Sequence, residues 1–192
     1  MKSSLILVGS LIGGVVLIIV AFYLFRPTET VTLPLSVQEY ADFDCPHCRD
    51  FEPTAEKIRK DFGSQINFQV ISNPILGQGS LIAAYAAEAA NQQGKYLPYV
   101  EALYANFDKR NDTDFSDFAT KLGLDITKFN NDRNNPSLQK KVNDQLQQNT
   151  DNGITSTPTI YINGKVALNV DYDSLHQLIM DKIALGQKQA QK

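Results

Sequence analysis

The chain has 192 residues, of which 43% are hydrophobic and 20% are charged, and its formal net charge is −3. The length suits one domain, or one domain with an insertion, and the composition is that of a globular protein. The mild acidity argues against nucleic acid or an anionic surface as a partner.

The first segment of the chain is an uncharged apolar stretch, Leu5–Phe25. As a helix it would reach about 31 Å, which is roughly the hydrocarbon thickness of a bilayer. No small-residue cleavage site follows it, so we expect residues 1–26 to be an uncleaved membrane anchor. A cleaved signal peptide and a buried helix remain the alternatives.

A short segment without periodicity follows the apolar stretch. It contains two prolines, and we predict that residues 27–34 are a linker that holds the domain off the membrane. The domain itself is predicted to span residues 35–187. It begins with a strand, Ser36–Phe43, whose alternation puts Val37, Glu39 and Ala41 on one face. Glu39 is therefore expected to be buried.

Both cysteines of the chain lie in the motif CPHC, at the start of a predicted helix. Pro46 suits the first helical position, where its missing N–H costs nothing. Apolar residues then recur at helical spacing until Gly63, and Pro53 predicts a kink within the helix. Residues 66–72 read as a second strand, so the cysteines lie at the first strand-to-helix turn of a β-α-β unit.

The rest of the chain divides into a helical block and a second strand pair. Residues 80–151 carry helical spacing throughout, with no strand signal, and are predicted to be an insertion. Asn163-Gly164 then separates two predicted strands, residues 159–162 and 165–170, as in a type I′ hairpin. An amphipathic helix over residues 173–185 and a polar tail, residues 188–192, close the chain. The fold class is therefore α/β, with the order β-α-β, helical insertion, β-β-α.

The position of the CPHC motif indicates redox chemistry. The first N–H groups of a helix lack partners and carry partial positive charge, so they favour a thiolate at Cys45. Such surroundings lower a cysteine pKa from about 8.5 toward about 3.5–7.5. Cys48 lies one turn further on and can resolve a mixed disulfide formed on Cys45. His47 adds positive charge or a donor nearby, whereas Asp42 and Asp44 would oppose the thiolate if they lay close.

Other functions of the cysteine pair are less compatible with the sequence. A structural disulfide over two residues closes a very small loop and constrains little. A metal site needs more ligands, and the only other histidine is His176, so we predict no metal and no cofactor other than a Cys45–Cys48 disulfide. The segment 108–114 has oxygen ligands without the spacing of a calcium loop, and we predict solvated loops there.

The chain resembles the DsbA-like branch of the thioredoxin superfamily. The resemblance rests on CPHC itself, on the helical insertion and on the segment TSTPTIYINGK, residues 155–165, which is similar to the cis-proline segment of that family. Acidic residues at the positions of Glu39 and Glu52 also match. The resemblance covers residues 36–185 and implies a thioredoxin fold, here preceded by the transmembrane helix.

The resemblance implies roles for several residues. A cis bond at Thr157-Pro158 would leave the Thr157 backbone free to pair with an extended substrate; the alternative is a trans proline entering an edge strand. Glu39 would relay the proton of Cys48, or else form a salt bridge to a lysine such as Lys57. Glu52 is a possible further relay, or a solvated helix residue.

The expected function is that of a tethered thiol:disulfide oxidoreductase on the extracytoplasmic side, periplasmic or extracellular. It would donate its disulfide to unfolded or reduced exported proteins, and the family resemblance suggests a quinone-linked membrane protein as the partner that reoxidises it. The absence of a third cysteine fits an oxidising compartment. A disulfide reductase or isomerase of the same fold, and a non-catalytic tethered binding or metal-carrier module, are the alternatives.

Overall fold

A four-stranded mixed sheet organises the domain in the computed structural model, which describes residues 29–191. The strands are β1 (Leu35–Ala41), β2 (Ile66–Ser72), β3 (Thr159–Ile162) and β4 (Lys165–Val166). Their order across the sheet is β2-β1-β3-β4. β1 pairs in parallel with β2 and antiparallel with β3, and β3 pairs antiparallel with β4.

Seven helices surround this sheet in the part of the chain that the structure describes. They are α1 (Pro46–Phe62), α2 (Gln78–Asn91), α3 (Tyr96–Ala105), α4 (Asp112–Lys121), α5 (Ile126–Arg133), α6 (Pro136–Asp151) and α7 (Tyr172–Ala190). Helices α2 to α6 lie between β2 and β3 in the chain and form the insertion. The predicted order of strands and helices is confirmed, and α1 runs through Pro53 without interruption.

Side-chain alternation in β1 buries one face of the strand. Val37, Glu39 and Ala41 are buried, as the sequence predicts, and so is Leu35, which the predicted strand did not include; the residues between them are partly exposed. The hairpin after β3 also forms at the predicted place. Asn163 and Gly164 both have left-handed backbone, with φ of 46° and 75°, which a type I′ turn requires.

Two hydrophobic clusters form the core. One joins the sheet to α1 and α7 through side chains such as Ile58, Ile160 and Ile179. The other belongs mainly to the insertion, and it contains both cysteines and Phe43. The active-site turn is therefore packed against the insertion and not only against the strand that precedes it.

The ends of several elements differ from the prediction. β4 ends at Val166, because the chain leaves the sheet after two residues have paired with β3. α7 continues to Ala190, so the predicted polar tail is largely helical. The last turns of α7 contact the segment that precedes β1. The Val31 N–H donates to Gln189 Oε1 at 3.0 Å, and Val31 and Leu33 lie against Gly186. The packed domain thus begins at Val31, within the predicted linker.

The membrane anchor predicted over Leu5–Phe25 lies outside the described residues. Between residues 29 and 191, no helix is both long and apolar enough to cross a bilayer.

Candidate active site

The two cysteines lie where β1 leads into α1. Cys45 is the N-cap residue of the helix, with extended backbone, and Pro46 occupies the first helical position as predicted. Both cysteines are free thiols, 5% exposed for Cys45 and fully buried for Cys48. Pro46 and His47, which separate them, are exposed. The motif therefore presents its middle residues to a partner and keeps its sulfurs largely covered.

The sulfur of Cys45 contacts a different group from the one predicted. It accepts no capping hydrogen bond from the amides of α1. Instead the thiol donates to the carbonyl oxygen of Thr157, 3.6 Å away. A protonated thiol carries no negative charge to attract amide donors, so it turns to the nearest acceptor. The predicted helix-terminus position is correct, but the predicted amide contacts are absent.

Thr157 and Pro158 lie opposite the cysteines, directly before β3. The bond between them is cis, so the cis-proline prediction is confirmed and the trans alternative is wrong. A second cis bond, Leu33-Pro34, was not predicted. The structure thus brings the CPHC turn and the segment 155–165 together across more than a hundred residues of sequence.

Burial dominates the chemistry of Cys48. It raises the pKa of the Cys48 thiol well above the usual value, and the backbone N–H of Asp42 lowers it only partly. The Cys45 sulfur and the Glu39 carboxyl raise it further, while the Thr157 side chain acts in the opposite direction. Cys48 is therefore a poor thiolate that needs a nearby group to exchange a proton with it.

Glu39 is a buried carboxyl group whose charge acts on the pKa of Cys48, which makes it the candidate for that role. Its side chain is fully buried, and neither carboxyl oxygen has a hydrogen-bond partner among the described residues. Burial raises its pKa to about 8; the charge of Glu52 adds to this, and Arg59 acts against it. The predicted burial is confirmed. The alternative salt bridge to Lys57 does not form, because the Lys57 ammonium lies over the ring of Tyr172.

Glu52, on α1, forms an ion pair with Arg59 of the same helix. Its Oε1 accepts from Arg59 Nη2 at 2.6 Å, and Arg59 also reaches Glu101 at 3.1 Å. The side chain of Glu52 is 13% exposed, and burial raises its pKa despite Arg59. The solvated alternative for Glu52 is therefore wrong.

A cavity opens to the surface beside Glu52. It has a volume of about 370 Å³ and is lined by residues of α1 and α3, including Glu52, Glu101 and Tyr104. The Tyr104 hydroxyl is buried without a partner among residues 29–191, and its pKa is raised by burial and then by Glu39 and Cys48. The Tyr104 hydroxyl and Glu52 Oε2, which also has no partner among the described residues, thus belong to residues that line the cavity, where a water molecule would satisfy them.

Sequence reasoning missed the role of the acidic residues before Cys45. Asp42 is fully buried; its carboxylate accepts from the N–H groups of Asp44 and Leu76, both at 2.9 Å. Asp44 pairs with Arg110 at 2.6 Å. Arg110 belongs to the segment 108–114, so the predicted solvated loop is wrong at this residue. No sequence signal links positions 44 and 110, because only the folded insertion brings them together.

No metal centre is evident around the cysteines. His176 lies on α7 between the rings of Phe62 and Tyr172. Over residues 29–191, no three His, Cys, Asp or Glu side chains are grouped as a metal ion would require. The arrangement is suited to thiol chemistry with internal proton transfer.

Comparisons with known proteins agree with this geometry. A family model described as thioredoxin matches residues 33–181. Disulfide bond formation protein D from Bacillus subtilis is 31% identical over 76% of this chain and 71% of its own length. The crystal structure of oxidised BdbD from Bacillus subtilis superposes with a TM-score of 0.71 and 26% identity, covering 79% of this chain and 88% of that one.

Another group of relatives is much longer than this chain. The Na(+)/H(+) antiporter NhaA from Herminiimonas arsenicoxydans is 29% identical over 73% of this chain, but the match covers only 22% of the antiporter. This chain therefore spans about a fifth of the length of those relatives.

Proposed function

Because the chain belongs to the thioredoxin family and has its α/β fold, we propose that it is a thiol:disulfide oxidoreductase that donates a Cys45–Cys48 disulfide to reduced exported proteins. One observation carries this proposal: the nearly buried thiol of Cys45 lies 3.6 Å from the carbonyl of Thr157, beside the cis bond to Pro158. A nucleophilic sulfur and a backbone edge for an extended chain are thus adjacent.

The proposed reaction begins with the oxidised enzyme. A substrate thiolate attacks the Cys45 sulfur; a substrate–Cys45 disulfide forms, and the bond between Cys45 and Cys48 breaks. Cys48 leaves with the electron pair of that bond. Because its sulfur is buried and holds a negative charge poorly, it takes a proton, and Glu39, protonated at neutral pH, supplies it.

The second half of the reaction releases the product. A second substrate thiolate attacks the substrate sulfur of the mixed disulfide, and Cys45 leaves as a thiolate. The substrate has lost two electrons to form its disulfide, and the enzyme is left with two reduced cysteines. Glu39 regains a proton from solvent through the cavity beside Glu52 and Tyr104.

The cellular setting is part of the same proposal. The apolar stretch Leu5–Phe25 supports an anchor, with the catalytic domain in the periplasm or outside the cell. A membrane protein linked to quinones would then reoxidise the cysteine pair. The name of the Bacillus subtilis relative, disulfide bond formation protein D, supports disulfide donation over disulfide removal.

The proposal is tested by following the oxidation of a reduced two-cysteine peptide by the oxidised full-length chain. We expect one peptide disulfide per enzyme disulfide consumed, and no reaction with Cys45→Ser. In cells, Cys48→Ala should accumulate as mixed disulfides with exported proteins. A Cys45→Ser chain with unchanged activity would eliminate the mechanism and favour a binding or carrier module, and trapping of only preformed, misoxidised proteins would favour an isomerase.

A further inference from the structure

The Arg110 side chain makes more hydrogen bonds to the protein than a solvent-exposed arginine needs. It lies in the connection between α3 and α4, and its side chain is 19% exposed. Its Nε donates to the Asp44 carboxylate at 2.6 Å. Its Nη2 donates to the carbonyl oxygen of Phe43 at 3.0 Å and of Leu103 at 3.3 Å, and Nη1 donates to that of Asn106 at 3.0 Å. The guanidinium therefore ties the residues just before Cys45 to the insertion.

Asp44 is also approached from a second side. On its other side lies the first turn of α2, where Gly79 brings its backbone close to the carboxylate. A β-carbon at Gly79 would lie only 2.6 Å from Asp44 Oδ2, so a glycine is required for the approach. The carboxylate thus lies between Arg110 and the first turn of α2, one residue before Cys45 in the chain.

A fixed negative charge beside Cys45 works against a thiolate there. The other charged groups around this turn are already engaged. Asp42, at the end of β1, accepts two backbone N–H bonds. Arg49, from α1, pairs with exposed Asp50. Arg110 is therefore the cation that directly offsets the charge of Asp44.

We propose that Arg110 is a positioning residue that, by neutralising Asp44, sets how strongly oxidising the Cys45–Cys48 pair is. This inference rests on the proposed function, because it concerns the same disulfide. The relevant equilibrium is balanced: the enzyme disulfide and two glutathione thiols give the enzyme dithiol and one glutathione disulfide. Stabilising the Cys45 thiolate moves this equilibrium toward the reduced enzyme and makes the pair more oxidising.

The two partners of the ion pair then have opposite effects. Arg110→Gln leaves Asp44 unopposed, so we expect the equilibrium constant to shift about tenfold toward the disulfide, equal to about 30 mV in the reducing direction. Asp44→Asn leaves Arg110 unopposed and should shift the constant about tenfold the other way. The double variant should lie near the wild-type value.

The experiment equilibrates full-length chains with glutathione buffers and quantifies the dithiol by alkylation. Arg133→Gln is the matched control, because Arg133 also forms an ion pair of the insertion, with Asp112 at 2.8 Å, but lies away from the cysteines. Its equilibrium constant should equal that of the wild type. If Arg110 had only a structural role, both single variants would be less stable, but their reduction potentials would not shift in opposite directions from the wild-type value.

Several outcomes would overturn the inference. Single variants that shift in the same direction, or that both stay within twofold of the wild type, contradict it while leaving the proposed function intact. If Arg110→Gln does not fold, Asp44→Asn alone still decides, since it must shift toward the dithiol. A wild-type chain that forms no Cys45–Cys48 disulfide would instead overturn the proposed function, and this inference with it.

Discussion

At the scale of single residues, the unusual feature is a carboxyl group buried next to a buried thiol. Glu39 has no polar partner among the described residues, and its pKa is about 8 because burial disfavours the charged form. Cys48 is affected in the same direction. At neutral pH both groups hold their protons, and in the proposed reaction a proton passes from Glu39 to Cys48.

The first prediction concerns catalysis. Glu39→Gln removes the acid that protonates Cys48, so oxidation of the peptide should slow about a hundredfold at pH 7, at the lower end of typical general-acid contributions. Above about pH 8, wild-type Glu39 is itself ionised, so the ratio of wild-type to variant rates should fall. A ratio that stays constant from pH 6 to pH 10 would contradict the role of Glu39. The measurement is the pH dependence of single-turnover peptide oxidation.

The second prediction concerns stability. Unfolded Glu39 ionises near 4.5, but the folded chain keeps the proton until about pH 8, so its contribution is complete below 4.5 and is lost as the pH rises between these values. From pH 5 to pH 7, the free energy of unfolding of Glu39→Gln should therefore rise by about 2.5 kcal/mol relative to wild type. Denaturant unfolding of the reduced chains measures this. Exposed Glu56→Gln is the control and should show no such trend.

The sequence predicted features that follow from local position and missed contacts between distant residues. The place of Cys45 and Cys48 at a helix start follows from the neighbouring residues, the burial of Glu39 follows from strand alternation, and the cis bond at Pro158 was implied by the family resemblance of residues 155–165. Arg110 could not be predicted, because its partner Asp44 lies 66 positions away and neither residue has a distinctive neighbourhood.

At the scale of elements, the insertion is attached to the sheet through a buried asparagine. Asn149 of α6 donates from Nδ2 to the Ser72 carbonyl at the end of β2 and to Asn73 Oδ1, both at 3.1 Å. Asn73 in turn donates to the carbonyl of Ile154. These contacts connect the last helix of the insertion to the sheet edge and to the chain that leads back into β3.

The third prediction follows from this contact. Asn149→Ala leaves a buried carbonyl and a buried amide oxygen without their donor, and should lower the free energy of unfolding by about 2 kcal/mol. Gln147→Ala, on the exposed side of the same helix, should change it by less than about 0.5 kcal/mol. Equal losses in the two variants, measured by denaturant unfolding, would show that Asn149 does not hold the helix.

The ends of the strands and helices show which elements can be delimited from sequence periodicity alone. β2 begins and ends at the predicted residues, because its apolar run is bounded by clear breakers. β4 is shorter than predicted and α7 is longer. Both differences arise from tertiary contacts: β4 has only β3 to pair with, and the last turns of α7 are covered by Val31 and Leu33.

At the scale of the whole molecule, the cysteines belong to the core of the insertion and not to that of the sheet. Cys48 is fully buried there and Cys45 nearly so, with the Cys45 thiol bonded to Thr157. These contacts are made by the dithiol form. The overall topology was predictable from the order of periodic segments, but this division of the core was not, because it depends on how five helices pack.

The fourth prediction compares the two redox forms. If the pair is an oxidant, the dithiol chain should be more stable than the disulfide chain, by about 1.4 kcal/mol for each 30 mV by which it is more oxidising than an unstructured dithiol. Denaturant unfolding with and without reductant measures the difference, and Cys48→Ala should show none. A more stable disulfide form would favour the reductase alternative.

The placement of the CPHC turn against the insertion has a consequence for comparing homologues. Two relatives with identical tetrapeptides would differ in redox strength if their insertions supplied different partners to the residue before the first cysteine, as Arg110 pairs with Asp44 here. Ranking such enzymes by the CxxC tetrapeptide alone would then misorder them, and the insertion is where the difference should be sought.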